Sequence, residues 1–260
     1  MGDVQLMAST APAAQPAAGS PNRKRAERRF FSGYMTAIAA AILFGFAPSF
    51  FLRGLVPPFF PLKPLHPLLV VHGTVTASWV LLFPIQARLI ATGQWQLHIR
   101  LGKLGFVLGA AMATTAYLLG IHQYHEPPPP GLTPALNVLL TLTDFFTMVV
   151  LLTWGWRRRM DAQAHKRIMT LIGCLLAGAA IFRVPTFDRG TIPGLIAIHG
   201  LLFATVLPLW AWDLRTRGKP HRVTVIGSAI LFTDMFGRLA VALTPVWPAF
   251  VNLLPGYGWP

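Results

Sequence analysis

A single cysteine, Cys174, excludes an intrachain disulfide and any Cys-based zinc or iron–sulfur site built within one chain. Acidic residues are scarce, 8 against 22 basic ones. Charged residues make up 12% of the 260-residue sequence, about half the usual share of ~25% in soluble domains. A Walker-type phosphate loop, G-x-S-x-G, H-E-x-x-H and an H-x-x-H-H box are all missing, which argues against soluble-type catalysis.

Apolar sequence is abundant instead. Hydrophobic residues reach 54% and mean hydropathy is +0.55. Seven apolar segments stand at about 33–52, 68–90, 101–121, 136–154, 168–186, 192–212 and 223–243, each near the roughly 20 residues that cross a bilayer as a helix. They are too long and continuous for the alternating strands of a membrane barrel. Pro-rich connectors punctuate them: VPPFFPLKPLHP, HEPPPPGLTP and VPTFDRGTIPG. The expected fold is therefore all-α, a polytopic membrane bundle of seven transmembrane helices.

The formal net charge of +14 would suggest nucleic acid in a soluble protein. Here the cations fall between the apolar runs, so the expected partner is the lipid bilayer and not nucleic acid. The tail and alternate loops hold Arg23, Lys24, Arg25, Arg28 and Arg29; Arg88, Arg100 and Lys103; Arg157, Arg158, Arg159, Lys166 and Arg167; and Arg215, Arg217, Lys219 and Arg222. The other side holds only Arg53, Lys63, Arg183 and Arg189, and Arg238 lies inside the seventh segment. The positive-inside rule then places the N-terminus in the cytoplasm and the C-terminus outside. Trp95, Trp154, Trp156, Trp210 and Trp212 fall at the same basic ends, as an aromatic belt would. Residues 1–29 read as a disordered Ala/Pro-rich tail, not a secretory signal, ending in a basic anchor. Residues 30–245 read as the transmembrane domain and residues 246–260 as an apolar interfacial segment.

Polar groups inside a membrane are the default functional candidates. Four histidines form two depth-matched pairs. His72 and His199 both open H-G-x-x-x-A near the outer side; His98 and His165 both open H-x-R-[LI]-x-x-L near the cytoplasmic side. Neutral imidazoles facing each other across a bundle can hold haem iron. The glycine after each outer histidine would leave room for a flat macrocycle, and Arg100 and Arg167 could meet haem propionates. The second, third, fifth and sixth segments would then form the core. The bland alternative is a set of hydrogen-bonded structural histidines outside and headgroup contacts inside.

Acidic residues offer another reading. Asp144 lies in the fourth segment, and Asp234 and Arg238 stand four apart on one face of the seventh. They could form a proton or ion path, or only an internal ion pair and a polar link between helices. His122, His125 and Glu126 in an outer loop could bind a divalent metal, and His66 and His221 read as interfacial. Pro48, Pro84 and Pro208 could kink their helices.

The stretches HGTVTASWVLLFPIQARLIATGQWQLHIRLGKLG, DAQAHKRIM and AWDLRTRGKPH resemble a group of uncharacterised bacterial multi-pass membrane proteins with LHRRLG-like and HKRLM-like motifs. The resemblance runs over most of residues 30–225 and implies a multi-pass protein of the bacterial cytoplasmic (inner) membrane. One departure is His98-Ile99-Arg100, where the group has His-Arg-Arg. More distantly, the paired histidines resemble the trans-membrane di-haem cytochromes b. That likeness implies haem b and electron transfer with a membrane redox partner. A proton-coupled or ion transporter using Asp144, Asp234 and Arg238, or an accessory subunit of a larger membrane complex, remains open beside it.

Overall fold

The computed structural model describes residues 21–62, 64–124, 132–185 and 187–251. The helices run α1 (Pro21–Phe46), α2 (Pro67–Ala91), α3 (Trp95–Tyr124), α4 (Pro134–Arg157), α5 (Ala162–Ile181), α6 (Ile192–Ala204), α7 (Leu207–Arg217), α8 (Arg222–Phe232), α9 (Arg238–Ala242) and α10 (Val246–Val251). A π-helical turn, Ala47–Phe51, continues α1, and a second, Thr233–Gly237, joins α8 to α9. Among the described residues the only β feature is an isolated bridge between Arg53 and Val56.

Seven spans are long and apolar enough to cross a membrane: Pro21–Phe51, α2, Trp95–His122, α4, α5, Ile192–Arg217 and Arg222–Ala242. This is the expected seven-helix membrane bundle. Several ends reach beyond the apolar runs because charged flanking residues continue the helix. α5 starts at Ala162, where the Asp161 side chain accepts from the amides of Gln163 and Ala164. Residues 21–29 form the first turns of α1. Residues 1–20 and 252–260 of the two terminal segments, with Lys63, His125 and Glu126, lie outside the described residues.

The basic ends meet on one face. Arg23 Nη2 donates to the Thr216 carbonyl at 2.7 Å, and Glu27 pairs with Lys166 and accepts from Gln163. On the opposite face His66 caps α2 and stacks on His122 with centroids 4.3 Å apart, and Trp247 donates to the Ala135 carbonyl.

The packing differs from the expected core of the second, third, fifth and sixth spans. α1 packs on α2 and α5, α2 on α3, α3 on α4, and α4 on α5, while α8 and α6 lie against α5. α5 is the centre: its side chains are mostly buried, whereas those of α2 are mostly not. Small residues decide this, because they let backbones approach closely where lipid leaves no hydrophobic drive between helices. A Cβ on Gly45 would stand 2.6 Å from the Ala180 carbonyl oxygen, so α1 and α5 touch nearly backbone to backbone. Gly173, Cys174, Ala177 and Ala180 line that helix.

The prolines act unequally. Pro84 sits within an uninterrupted α2. Pro48 lies in the π turn that ends the first span. Pro208 follows the break between α6 and α7, where the Thr205 carbonyl is left without a helical amide. The Tyr34 hydroxyl donates to that carbonyl instead, and Cys174 Sγ lies 3.5 Å away. A side chain of α1 thus satisfies the backbone freed in the sixth span.

Candidate functional site

Three spans bring polar groups together near the middle of their apolar lengths, charged ones from two of them and a histidine from the third. Asp144 lies ten residues into α4, about 15 Å along its axis. Asp234 lies twelve residues from the start of α8 at the basic face, about 18 Å along, inside the Thr233–Gly237 π turn. His199 enters from α6 and is fully buried.

Arg238 joins them. Its Nη1 donates to Asp144 Oδ1 at 2.6 Å and approaches Thr143 Oγ1 at 3.4 Å. Its Nε donates to His199 Nε2 at 3.3 Å. The same guanidinium stands 3.7 Å from Asp234 Oδ2. Nδ1 of His199 bonds the Leu195 carbonyl at 2.7 Å, so His199 is the Nδ1–H tautomer and offers its Nε2 lone pair to Arg238.

The cluster is asymmetric. The Asp234 side chain is 1% exposed and that of Asp144 39%. Neither Asp234 oxygen makes a hydrogen bond of good geometry among the described residues; the Asp144 carboxyl and the Thr147 hydroxyl stand close enough to act on it as loose hydrogen-bond partners, and Arg238 acts on it through its charge. Two carboxylates therefore share one guanidinium. If both are ionised the buried cluster carries a surplus negative charge, which a proton or a cation must balance.

The chain matches no protein-family model, no curated protein and no solved structure. Function must come from the geometry.

That geometry keeps the outer histidines apart, while His98 and His165 lie close enough to act on each other through charge. α2 and α6 pack on different neighbours. Thr115 Oγ1 sends its proton to backbone carbonyls of its own helix, so it accepts from His72 Nδ1–H at 2.9 Å. That leaves His72 Nε2 only a long contact of 3.4 Å with Thr76. On the basic side, His165 Nδ1 donates to the Gly155 carbonyl at 3.1 Å, leaving its Nε2 open. His98 Nδ1 accepts from the Gln86 amide at 2.5 Å in the amide orientation that also serves Gly102, so its Nε2 carries the proton. In the outer pair His199 Nε2 is already taken by Arg238, whereas in the inner pair neither His98 Nε2 nor His165 Nε2 makes a hydrogen bond among the described residues. Bis-histidine haem needs two ring nitrogens facing each other, and the outer pair does not fit it in this arrangement.

Arg100 is exposed. Arg167 is not available for a propionate: its Nε lies 3.1 and 3.3 Å from the two Asp213 oxygens, and Nη2 donates to Asp213 as well. Asp213 also accepts from the His221 amide at 3.0 Å and from Thr224 at 2.5 Å. This buried pair ties α5 to α7 and α8 with every acceptor used. The sequence reading passed over Asp213 because it sits in a basic stretch, DLRTRGKPH, that looks like a solvated loop.

Outside the spans, burial and the neighbouring Arg189 push the Arg183 guanidinium down to about 10, with its charge 4.0 Å over the Phe46 ring. Burial, then Arg167 and Arg217, hold His221 below its ordinary value.

Proposed function

We propose that this protein is a small proton-coupled carrier of the bacterial cytoplasmic membrane, working through Asp144, His199, Asp234 and Arg238. The carrying observation is the surplus carboxylate: Asp234 is buried, without a hydrogen bond of good geometry, and 3.7 Å from a guanidinium already committed to Asp144.

The proton belongs to the Asp144–Asp234 pair. With a proton on Asp234, Arg238 neutralises Asp144 alone. Loss of that proton draws Arg238 toward Asp234 and loosens its bonds to Asp144 and His199. Asp144, the more exposed acid, is the port through which the pair exchanges protons. The π turn holding Asp234 and the break after α6 suit such movement, since π-bulges often mark functional sites and discontinuous membrane helices often line transport sites. The bias of basic residues to one face supports an inside N-terminus.

Proteoliposomes containing a trapped pH dye test this reading. An imposed membrane potential drives proton flux through the wild type, Asp144→Asn and Asp234→Asn each lower it at least about tenfold by removing one titrating site, and His72→Ala leaves it intact. Flux indifferent to both aspartates would overturn the carrier. A dithionite-reduced minus oxidised spectrum of the same preparation covers the other histidine chemistry. Soret and α bands lost in His72→Ala or His199→Ala would replace the carrier with a b-type cytochrome. Stable co-purification with a larger complex, without flux, would make the chain an accessory subunit.

A further inference from the structure

The first turns of α1 project past the apolar span and present two different faces. Arg23 and Glu27 turn toward the bundle, bonding Thr216, Lys166 and Gln163. Lys24, Arg25, Arg28 and Arg29 turn away and are exposed. Among the described residues none of these four has an ion-pair partner. Four cations at three- and four-residue spacing repel one another along the helix.

These side chains line a cleft of about 660 Å³ that also includes Ser32 and, from the end of α2, Ala91. Its depth is set by the next turn of α1, where Phe30 stacks on Trp212 with centroids 4.4 Å apart and planes 9° from parallel. Aromatic rings of that kind sit at the level of the headgroups. The cations lie within about 9 Å of Phe30 along the axis, at the depth of lipid phosphates.

We propose that this cleft binds the phosphate headgroup of an anionic phospholipid. Arg25 and Arg28 supply planar donors that can grip phosphate oxygens in pairs, Lys24 and Arg29 complete the positive field, and Ser32 offers a hydroxyl. Basic pockets at helix ends are a recurrent form of lipid recognition. The bound lipid would relieve the repulsion along α1 and fix its tilt against α2.

Native mass spectrometry of the full chain released from phosphatidylglycerol or phosphatidylcholine nanodiscs tests the site. The wild type retains phosphatidylglycerol and not phosphatidylcholine. The double variant Arg25→Gln/Arg28→Gln loses affinity by about 25-fold, each charge near the surface contributing about fivefold. Its melting temperature in phosphatidylcholine stays at the wild-type value, which separates lost lipid from lost fold. The control Arg157→Gln/Arg158→Gln, on the same face, keeps the bound lipid. Equal loss in the control would reduce the effect to general surface charge and overturn the site. So would undiminished binding by Arg25→Gln/Arg28→Gln. Inorganic phosphate that displaces the lipid and raises the melting temperature as much would assign the cleft to a soluble anion instead.

Discussion

Asp234→Asn separates a surplus carboxylate from a structural one. At 3.7 Å and an effective dielectric of ~20, the attraction between Asp234 and Arg238 amounts to about 4 kcal/mol. Withdrawing a carboxylate from water costs several kcal/mol, and Asp234 recovers little of it through hydrogen bonds, none having good geometry. The two terms nearly cancel, so Asp234→Asn, which keeps the shape and drops the charge, should change unfolding free energy by no more than about 1 kcal/mol. Arg238→Leu is the contrast. It leaves Asp144 and Asp234 without a cation and His199 Nε2 without its donor, and it should cost about 3–5 kcal/mol. Arg238→Leu/Asp234→Asn removes one of the two stranded charges and should recover part of that loss. Steric trapping in micelles reads all three. If Asp234→Asn costs as much as Arg238→Leu, or the double variant is no better than Arg238→Leu alone, Asp234 is an anchor and the surplus-charge argument fails.

Three further outcomes follow from the packing and the caps. Asp213→Asn should cost about 3–5 kcal/mol, because it strands the buried Arg167; proton flux per folded molecule should stay unchanged. Gly45→Leu should loosen α1 from α5 by about 1–3 kcal/mol, since even a Cβ would stand 2.6 Å from the Ala180 oxygen, and cross-linking between engineered cysteines on those helices would report it. His221 caps α8 by accepting from the Val223 amide at 3.1 Å, which needs an unprotonated Nδ1. Its folded pKa is depressed below 6.5, so this stabilisation is complete above 6.5 and fades as pH falls from there toward the folded value. The protection of the Val223 amide against hydrogen exchange, relative to its intrinsic rate at each pH, should therefore fall on acidification in the wild type and not in His221→Asn, whose side chain caps without titrating.

The seven spans were legible because each is a continuous apolar run, and charge alternation ordered their ends. Helix rotation was not legible. Depth alone placed His72 and His199 together, but α2 and α6 face different neighbours. His165 and Arg167 stand two residues apart, hence about 200° around the helix; one bonds Gly155 of α4 and the other reaches Asp213 of α7. They could not serve one shared ligand. Asp144, Asp234 and Arg238 stood out as charges within apolar sequence, and the i,i+4 spacing correctly put Asp234 and Arg238 on one face. Their meeting with His199 depends on how α4, α6 and the seventh span are turned. The central place of α5 was written in its Gly-Cys-x-x-Ala-Gly run, which the histidine pattern overshadowed.

The two buried arginines show why one site is read as working and the other as holding. Arg167 and Arg238 are equally withdrawn, 1% and 6% exposed. Around Arg167 the carboxylate of Asp213 takes bonds from a guanidinium, an amide and a hydroxyl, a closed set that gains nothing from moving. Around Arg238 two acids compete for one cation, and the more deeply buried acid has only a long ion pair at 3.7 Å and no hydrogen bond of good geometry. Backbone irregularity falls on the same side: the pair at Asp213 lies in regular helix, while Asp234 occupies a π turn. A bundle that needed only cohesion would satisfy both carboxylates alike. Under the proposed carrier, leaving one unsatisfied in yielding backbone would keep two charge arrangements close in energy, so that a single proton would choose between them.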